Sequence, residues 1–168
     1  MKKVLQFSGV ISAVLGIIAL VLMMVTNAVV VKVGNTQVVT EGIVAIFGKT
    51  EKVLLVEVVT KPSPLALIGW ILALVGVLVV LCGVILPLLK VKGIKKFAGV
   101  MNVVAVVCLV LAGVFMFLVV PTFVSANGGE VSEYHHIGAG WVIAGILSIA
   151  AGAFAILPAA ADFLGKRK

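Results

Sequence analysis

The residues best suited to chemistry lie in one short segment, "EVSEYHH", Glu130 to His136. Glu130, Glu133, His135 and His136 are carboxylate and imidazole groups, the ligand types that suit zinc. A zinc site needs three or four such groups converging on one point, and the spacing here matches no established zinc motif. On a strand, His135 and His136 point to opposite faces. The segment therefore reads as a polar approach to an apolar helix, with Tyr134 and both histidines in an interfacial belt. No metal and no other cofactor is expected; Glu133, His135 and His136 are the only residues that would be tested for one.

Nucleophilic chemistry has no better footing. No Ser or Cys stands beside a base at a spacing that would activate it. The glycines sit in apolar stretches rather than between a strand and a helix, so no phosphate-cradling loop is present. Cys82 and Cys108 fall inside apolar runs; they read as small hydrophobes rather than as a disulfide framework. The sequence predicts a protein that is not an enzyme.

Composition sets the elements around these residues. The chain is 63% hydrophobic and 11% charged, with mean hydropathy +1.37. Soluble domains are about 45–50% apolar and about 25% charged, so lipid is the expected solvent and first partner. Four apolar runs are long enough to cross a bilayer, at about 4–27, 65–89, 97–124 and 137–157. They predict one domain over residues 1–168, an all-α four-helix membrane bundle. "MKK" resembles the start of a signal peptide, but the apolar run behind it is too long and no A-x-A site follows, so the first span is expected to stay.

The net charge of +7 is clustered. Lys2 and Lys3 precede the first span; Lys90, Lys92, Lys95 and Lys96 fill the loop 90–96; Lys166, Arg167 and Lys168 follow the fourth span. Lys32, Lys49, Lys52 and Lys61 are offset by glutamates in the other two loops. By the positive-inside rule both termini and loop 90–96 face the cytoplasm, and residues 28–64 and 125–136 face outward. Anionic headgroups account for the basic clusters, and no nucleic acid partner is expected. Asp162 is placed to pair with Lys166 at the cytoplasmic exit. Without a glycosylation sequon or an outer cysteine pair, the expected location is a prokaryotic cell membrane.

The spans repeat. "IGWILALVGVLVVLCGVILP" (68–87) and "AGWVIAGILSIAAGAFAILP" (139–158) share their Gly-Trp start and Ile-Leu-Pro end. "FSGVISAVLG" from Phe7 and "FAGVMNVVAV" from Phe97 also match, each after a Lys-Lys pair. Two tandem two-helix repeats follow, related by a pseudo-two-fold axis along the membrane normal. Small residues recur every seven positions: Gly9 and Gly16; Gly69, Gly76 and Gly83; Ala98, Ala105 and Ala112; Gly138, Gly145 and Gly152. Such stripes let helix backbones approach closely in a left-handed bundle, within one chain or between chains. Ser12 and Asn102 hold equivalent positions and are expected to bond across the pseudo-axis, worth on the order of 1 kcal/mol. No ionisable residue lies in any span core, which argues against ion-coupled transport by a single chain.

The first outward loop reads as a small antiparallel sheet. "AVVVKV" and "TQVVTE" are β-branched runs around Gly34-Asn35, a hairpin turn signal. "GIVAIF" and "EKVLLVEVVT" flank a second turn at "GKT", giving three or four strands; a helix over Ile43–Phe47 is the competing reading. A further short strand is placed around Val131–Tyr134. The last strand is apolar on both sides, with Leu54, Val56 and Val58 on one face and Leu55 and Val59 beside Glu57 on the other. One face must be covered by headgroups and the second outer loop, or offered to a partner, and free edges can accept another strand.

Four spans, both termini inside, a β-rich first outer loop and a shorter second one: this layout resembles the claudin-like tetraspan proteins. The likeness covers the whole chain and is one of topology; residues 28–64 contain neither the Trp nor the Cys pair of that family's first loop. The resemblance implies adhesion, scaffold or accessory-subunit roles rather than catalysis, and no residue's role carries over. The function read from the sequence is a non-enzymatic tetraspan protein that binds another membrane protein, or itself, through its outer sheet and glycine-lined helix faces. The competing reading is a subunit of an oligomeric pore or transporter.

Overall fold

Long uncharged runs of Leu, Val, Ile and Ala satisfy their backbone groups internally only by coiling. In the computed structural model, which describes residues 2–53, 56–88 and 98–164, these runs are helical. In chain order the elements are α1 (Lys2–Val25), β1 (Asn27–Val33), β2 (Thr36–Glu41), α2 (Gly42–Phe47), β3 (Lys49–Val53), β4 (Val56–Thr60), α3 (Pro64–Leu88), α4 (Ala98–Phe117), α5 (Val119–Ala126), β5 (His135–Ile137) and α6 (Ala139–Leu164). Four helical segments are long and apolar enough to cross a membrane: Phe7–Val25, Pro64–Leu86, Gly99–Phe117 and Ala139–Ala160.

The four long helices form a ring. α1 packs against α3 and α6, and α4 packs against the same two. α6 carries the polar links. Ser12 Oγ on α1 donates to the Ala151 carbonyl at 2.7 Å, Ser148 Oγ donates to the Leu109 carbonyl of α4 at 2.8 Å, and Trp141 Nε1 donates to the Met23 carbonyl of α1 at 3.1 Å. The expected Ser12–Asn102 bond is therefore corrected: α1 and α4 lie across the ring from each other, and Ser12 reaches the neighbouring α6 instead.

Between these links the seams are lined by small residues. A Cβ on Gly9 or Gly16 would lie 2.9 or 2.5 Å from Val84 or Val77 of α3. On Gly76 it would lie 2.7 Å from Leu109, on Gly145 2.9 Å from Phe117, and on Gly152 2.8 Å from Val110, all of α4. Gly69 and Gly83 face Phe115 and Asn102 at 3.3 Å, and Ala105 and Ala112 are fully buried. Each of these glycines faces a neighbouring helix of its own chain.

Several boundaries differ from those read in the sequence. The third apolar run breaks at Leu118. Pro121 has no N–H for the carbonyl of Phe117, and Leu118 N–H turns back to the Phe115 carbonyl at 3.1 Å before α5 begins. The fourth run starts two residues later than expected because Ile137 belongs to β5; it then continues through Pro158 to Leu164. Gly138 thus lies outside α6 and does not belong to its packing stripe. Loop 90–96 and the Lys166 partner proposed for Asp162 lie outside the described residues.

Among the described residues there are two sheets rather than one, ordered β2-β1-β5 and β3-β4. "GIVAIF" is the helix α2, not a strand. Gly42 N–H donates to the Thr26 carbonyl at 2.8 Å, Ala45 and Ile46 are buried side by side, and Gly48 ends the turn at φ 76° with its N–H on the Val44 carbonyl. "EKVLLVEVVT" is not one strand. It folds back between Val53 and Val56, in a register that sets Lys52 opposite Glu57, with their charged groups 3.3 Å apart. The strand placed at Val131–Tyr134 forms at His135–Ile137, because Ser132 to His135 make a turn and β1 offers Val29–Val31 as partners.

Overpacking a close seam costs about 1–3 kcal/mol. Gly76→Leu and Gly145→Leu should each lower the melting temperature of detergent-purified protein by several degrees, read by circular dichroism. Unchanged melting in both would contradict the packing described.

Candidate functional site

All strands among the described residues gather at the end of the ring where α1 stops. α1 stops because Thr26 turns its own hydroxyl onto the Leu22 carbonyl at 2.6 Å and the β-branched residues after Asn27 favour an extended chain. The last carbonyls of a helix have no partner within it, and here Trp141 Nε1 of α6 takes the Met23 carbonyl. Just past the helix, Gly42 N–H takes the Thr26 carbonyl, and Gly138 N–H takes that of Ala28 in β1 at 2.9 Å. A Cβ on Gly42 would sit 1.7 Å from the Met23 oxygen, and one on Gly138 1.7 Å from the Asn27 oxygen. No side chain fits at either place. This junction ties β1, α2, β5 and the start of α6 to one helix end.

A second anchor holds the β3–β4 hairpin. Asn127 Oδ1 accepts from Lys61 N–H at 2.8 Å, while its Nδ2 donates to the Lys61 carbonyl at 3.1 Å and to the Phe123 carbonyl at 2.9 Å. Beside it, Ser63 Oγ and Thr122 Oγ1 share a hydrogen bond at 2.6 Å. Ser63 Oγ also accepts from Ala66 N–H at 3.3 Å, capping α3.

The surface held by these anchors is apolar on both sides. Val38 and Val39, consecutive in β2 and so on opposite faces, are 61% and 44% exposed. Val58 and Val59, consecutive in β4, are 49% and 58% exposed. Ile43 and Phe47 of α2 are also exposed, and the Phe47 ring meets Trp70 edge-on at 5.4 Å. Of the expected patch, Val58 is on this surface, Leu54 and Leu55 lie outside the described residues, and Val56 is placed by its backbone alone. Val38, Val39 and the Asn127 clamp escaped the sequence reading. The signal for the clamp was present, since Asn127-Gly128-Gly129 is a turn-forming run directly after a Pro-bearing helix. Glu51 hydrogen-bonds the exposed Lys49 and lifts its ammonium above the usual range; at full exposure such a pair adds little stability.

The metal candidates do not converge. His135 Nδ1 is engaged by Ser132, at 2.8 Å from its Oγ and 3.2 Å from its N–H, while His136 and Glu133 are exposed. Among the described residues no three His, Cys, Asp or Glu side chains gather to hold a metal. A cleft of about 390 Å³ opens beside the junction, lined by Val25, Asn27, Val30, Gln37 and Gly140 among others, with no ionisable group.

No protein-family model, no curated protein and no solved structure matches the chain. Its role is argued from this geometry.

An ordinary hydrogen bond contributes about 0.5–1.5 kcal/mol net, and Asn127 makes three of them across this contact. Asn127→Ala should therefore speed amide exchange across residues 49–60 while the long helices keep their protection. Unchanged exchange in the hairpin would show that the clamp does not hold it.

Proposed function

We propose that this is a non-enzymatic four-span membrane protein that works as a scaffold, adhesion element or accessory subunit, binding another membrane protein or a second copy of itself through its strand-bearing end. In this reading the four long helices lie in the cell membrane, both termini and loop 90–96 face the cytoplasm, and the sheets stand outside. The basic clusters at 2–3, 90–96 and 166–168 support that orientation through the positive-inside rule.

The observation that carries the proposal is the exposure of consecutive valines on opposite faces of β2 and β4. A sheet in water normally keeps one face polar, and an apolar patch left open marks an interaction surface. The helix glycines meanwhile face neighbours in their own chain, which favours the strand-bearing end over lateral helix packing as the binding surface. Tandem repeats account for the ring: if α4 and α6 repeat α1 and α3, the contacts α3–α4 and α6–α1 are equivalent. The claudin-like layout supports an adhesive or scaffolding role.

Surface substitutions outside packed features change stability by about 0.5 kcal/mol or less. Val38→Lys and Val58→Lys should leave melting unchanged yet weaken partner retention in mild detergent by at least about tenfold, since each charge must be desolvated on docking. Full retention in both variants would remove this surface from the mechanism.

A further inference from the structure

We infer that the partner is a second copy of this chain, joined edge to edge through β2 in an antiparallel pair centred on Val39. This rests on the reading that the strand-bearing end is the binding surface, and it names the occupant.

The other strand edges are shorter or guarded. β5 has three residues. β3 carries Lys49 and Lys52, and edge lysines oppose strand pairing. β4 would need Lys61 to extend its ladder, but the Lys61 N–H and carbonyl are both held by Asn127. β2 is the longest edge strand among the described residues. It has six residues, no lysine, and one paired side, facing β1.

The hairpin fixes which β2 groups are free. Val33 pairs with Thr36 across the two-residue turn Gly34-Asn35, with Gly34 at φ 59°. The closing pair of such a turn exchanges both hydrogen bonds, and pairs then alternate along the ladder. Val33–Thr36 and Val31–Val38 are bonded, whereas Lys32–Gln37 and Val30–Val39 are not. Gln37, Val39 and Glu41 therefore direct their N–H and carbonyl groups away from β1. The next residue, Gly42, turns its N–H back to Thr26, as the alternation requires.

Two copies can join antiparallel only where outward residues meet. Setting Val39 opposite Val39 of the second copy brings Gln37 opposite Glu41, Glu41 opposite Gln37, and Val38 opposite Thr40. This register uses all three outward positions of both strands. Shifting it by two residues towards the turn leaves Glu41 facing Asn35, outside the strand. The side-chain rows across the joined sheet also agree. One runs Val30, Val39, Val39, Val30; another runs Val31, Val38, Thr40, Val29. A third runs Lys32, Gln37, Glu41, Asn27, placing Lys32 of each copy on the same face as the other's Glu41. They are two strands, about 10 Å, apart, a gap that these two long side chains can span. No like charges are opposed. The pairing places a valine beside a valine on one face and beside a threonine on the other, so the exposed apolar residues of β2 gain neighbours on both faces.

Disulfide trapping tests the register. In a chain carrying Cys82→Ala and Cys108→Ala, a single cysteine is placed at position 38, 39, 40 or 59 and the protein is oxidised in mild detergent. Bonded antiparallel pairs have Cα atoms about 5.5 Å apart, within disulfide range. Val39→Cys should form covalent dimer at least about tenfold more than Val59→Cys. Val38→Cys mixed with Thr40→Cys should cross-link more than either alone. Independently, Val39→Pro removes one outward N–H while sparing the β1–β2 ladder, and should abolish the dimer mass with helicity retained. Equal trapping at 39 and 59, or a dimer that survives Val39→Pro, overturns the pairing. If Val39→Cys instead captures a different protein, self-pairing fails while the proposed binding surface stands; a chain that stays monomeric with no partner fails both.

Discussion

The sheet β2-β1-β5 depends on how the junction between α1 and β1 is covered. A helix that stops inside an apolar environment leaves carbonyls that must find donors. Here Trp141 donates its indole to Met23, and just past the helix Gly42 and Gly138 donate their backbones to Thr26 and to Ala28 of β1. The approach is so close that a Cβ at either glycine would overlap a backbone oxygen. One helix end thereby positions the start of α2, the pairing of β5 with β1, and the entry of α6 into the ring. Both sheets are hydrogen-bonded to the bundle, one at this junction and the other through Asn127.

The ring itself is unequal. α6 makes buried polar links to α1 and to α4, whereas Gly9 and Gly16 of α1 lie against Val84 and Val77 of α3. The two Trp residues of the repeated Gly-Trp segments differ in the same way. Trp141 is fully buried with its indole bonded to Met23; Trp70 lies against Phe47, and its buried Nε1 has no acceptor among the described residues. The two similar segments thus sit in different environments, Trp70 beside α2 and Trp141 beside the end of α1.

Much of this was legible from residue order. Four apolar runs announced four long helices, and β-branched runs around Gly34-Asn35 announced the first hairpin in its correct place. Of the period-seven glycines, those within the helices face other helices of the chain, whereas Gly138 meets the backbone of β1. What failed was whatever depended on tertiary partners. "GIVAIF" has strand composition, yet the donor it offers to Thr26 and the burial of Ala45 and Ile46 make it a helix. "EKVLLVEVVT" has no turn residue, yet Lys52 and Glu57 meet when it folds back. Ser12 and Asn102 match in the repeat but sit across the ring. At the site, the strand position of Val58 puts it on an apolar face that needs either cover or a partner, whereas TQVVTE looks unremarkable until its neighbour strand and its free edge are known.

The central claim is that this chain acts by holding another protein at its strand-bearing end. The most direct measurement is the intact mass of the protein released from its native membrane in mild detergent. The account predicts a complex of fixed composition, either two 17.4 kDa chains or one chain with another protein. A single chain carrying lipid alone, at every protein concentration and in every mild detergent, would contradict it.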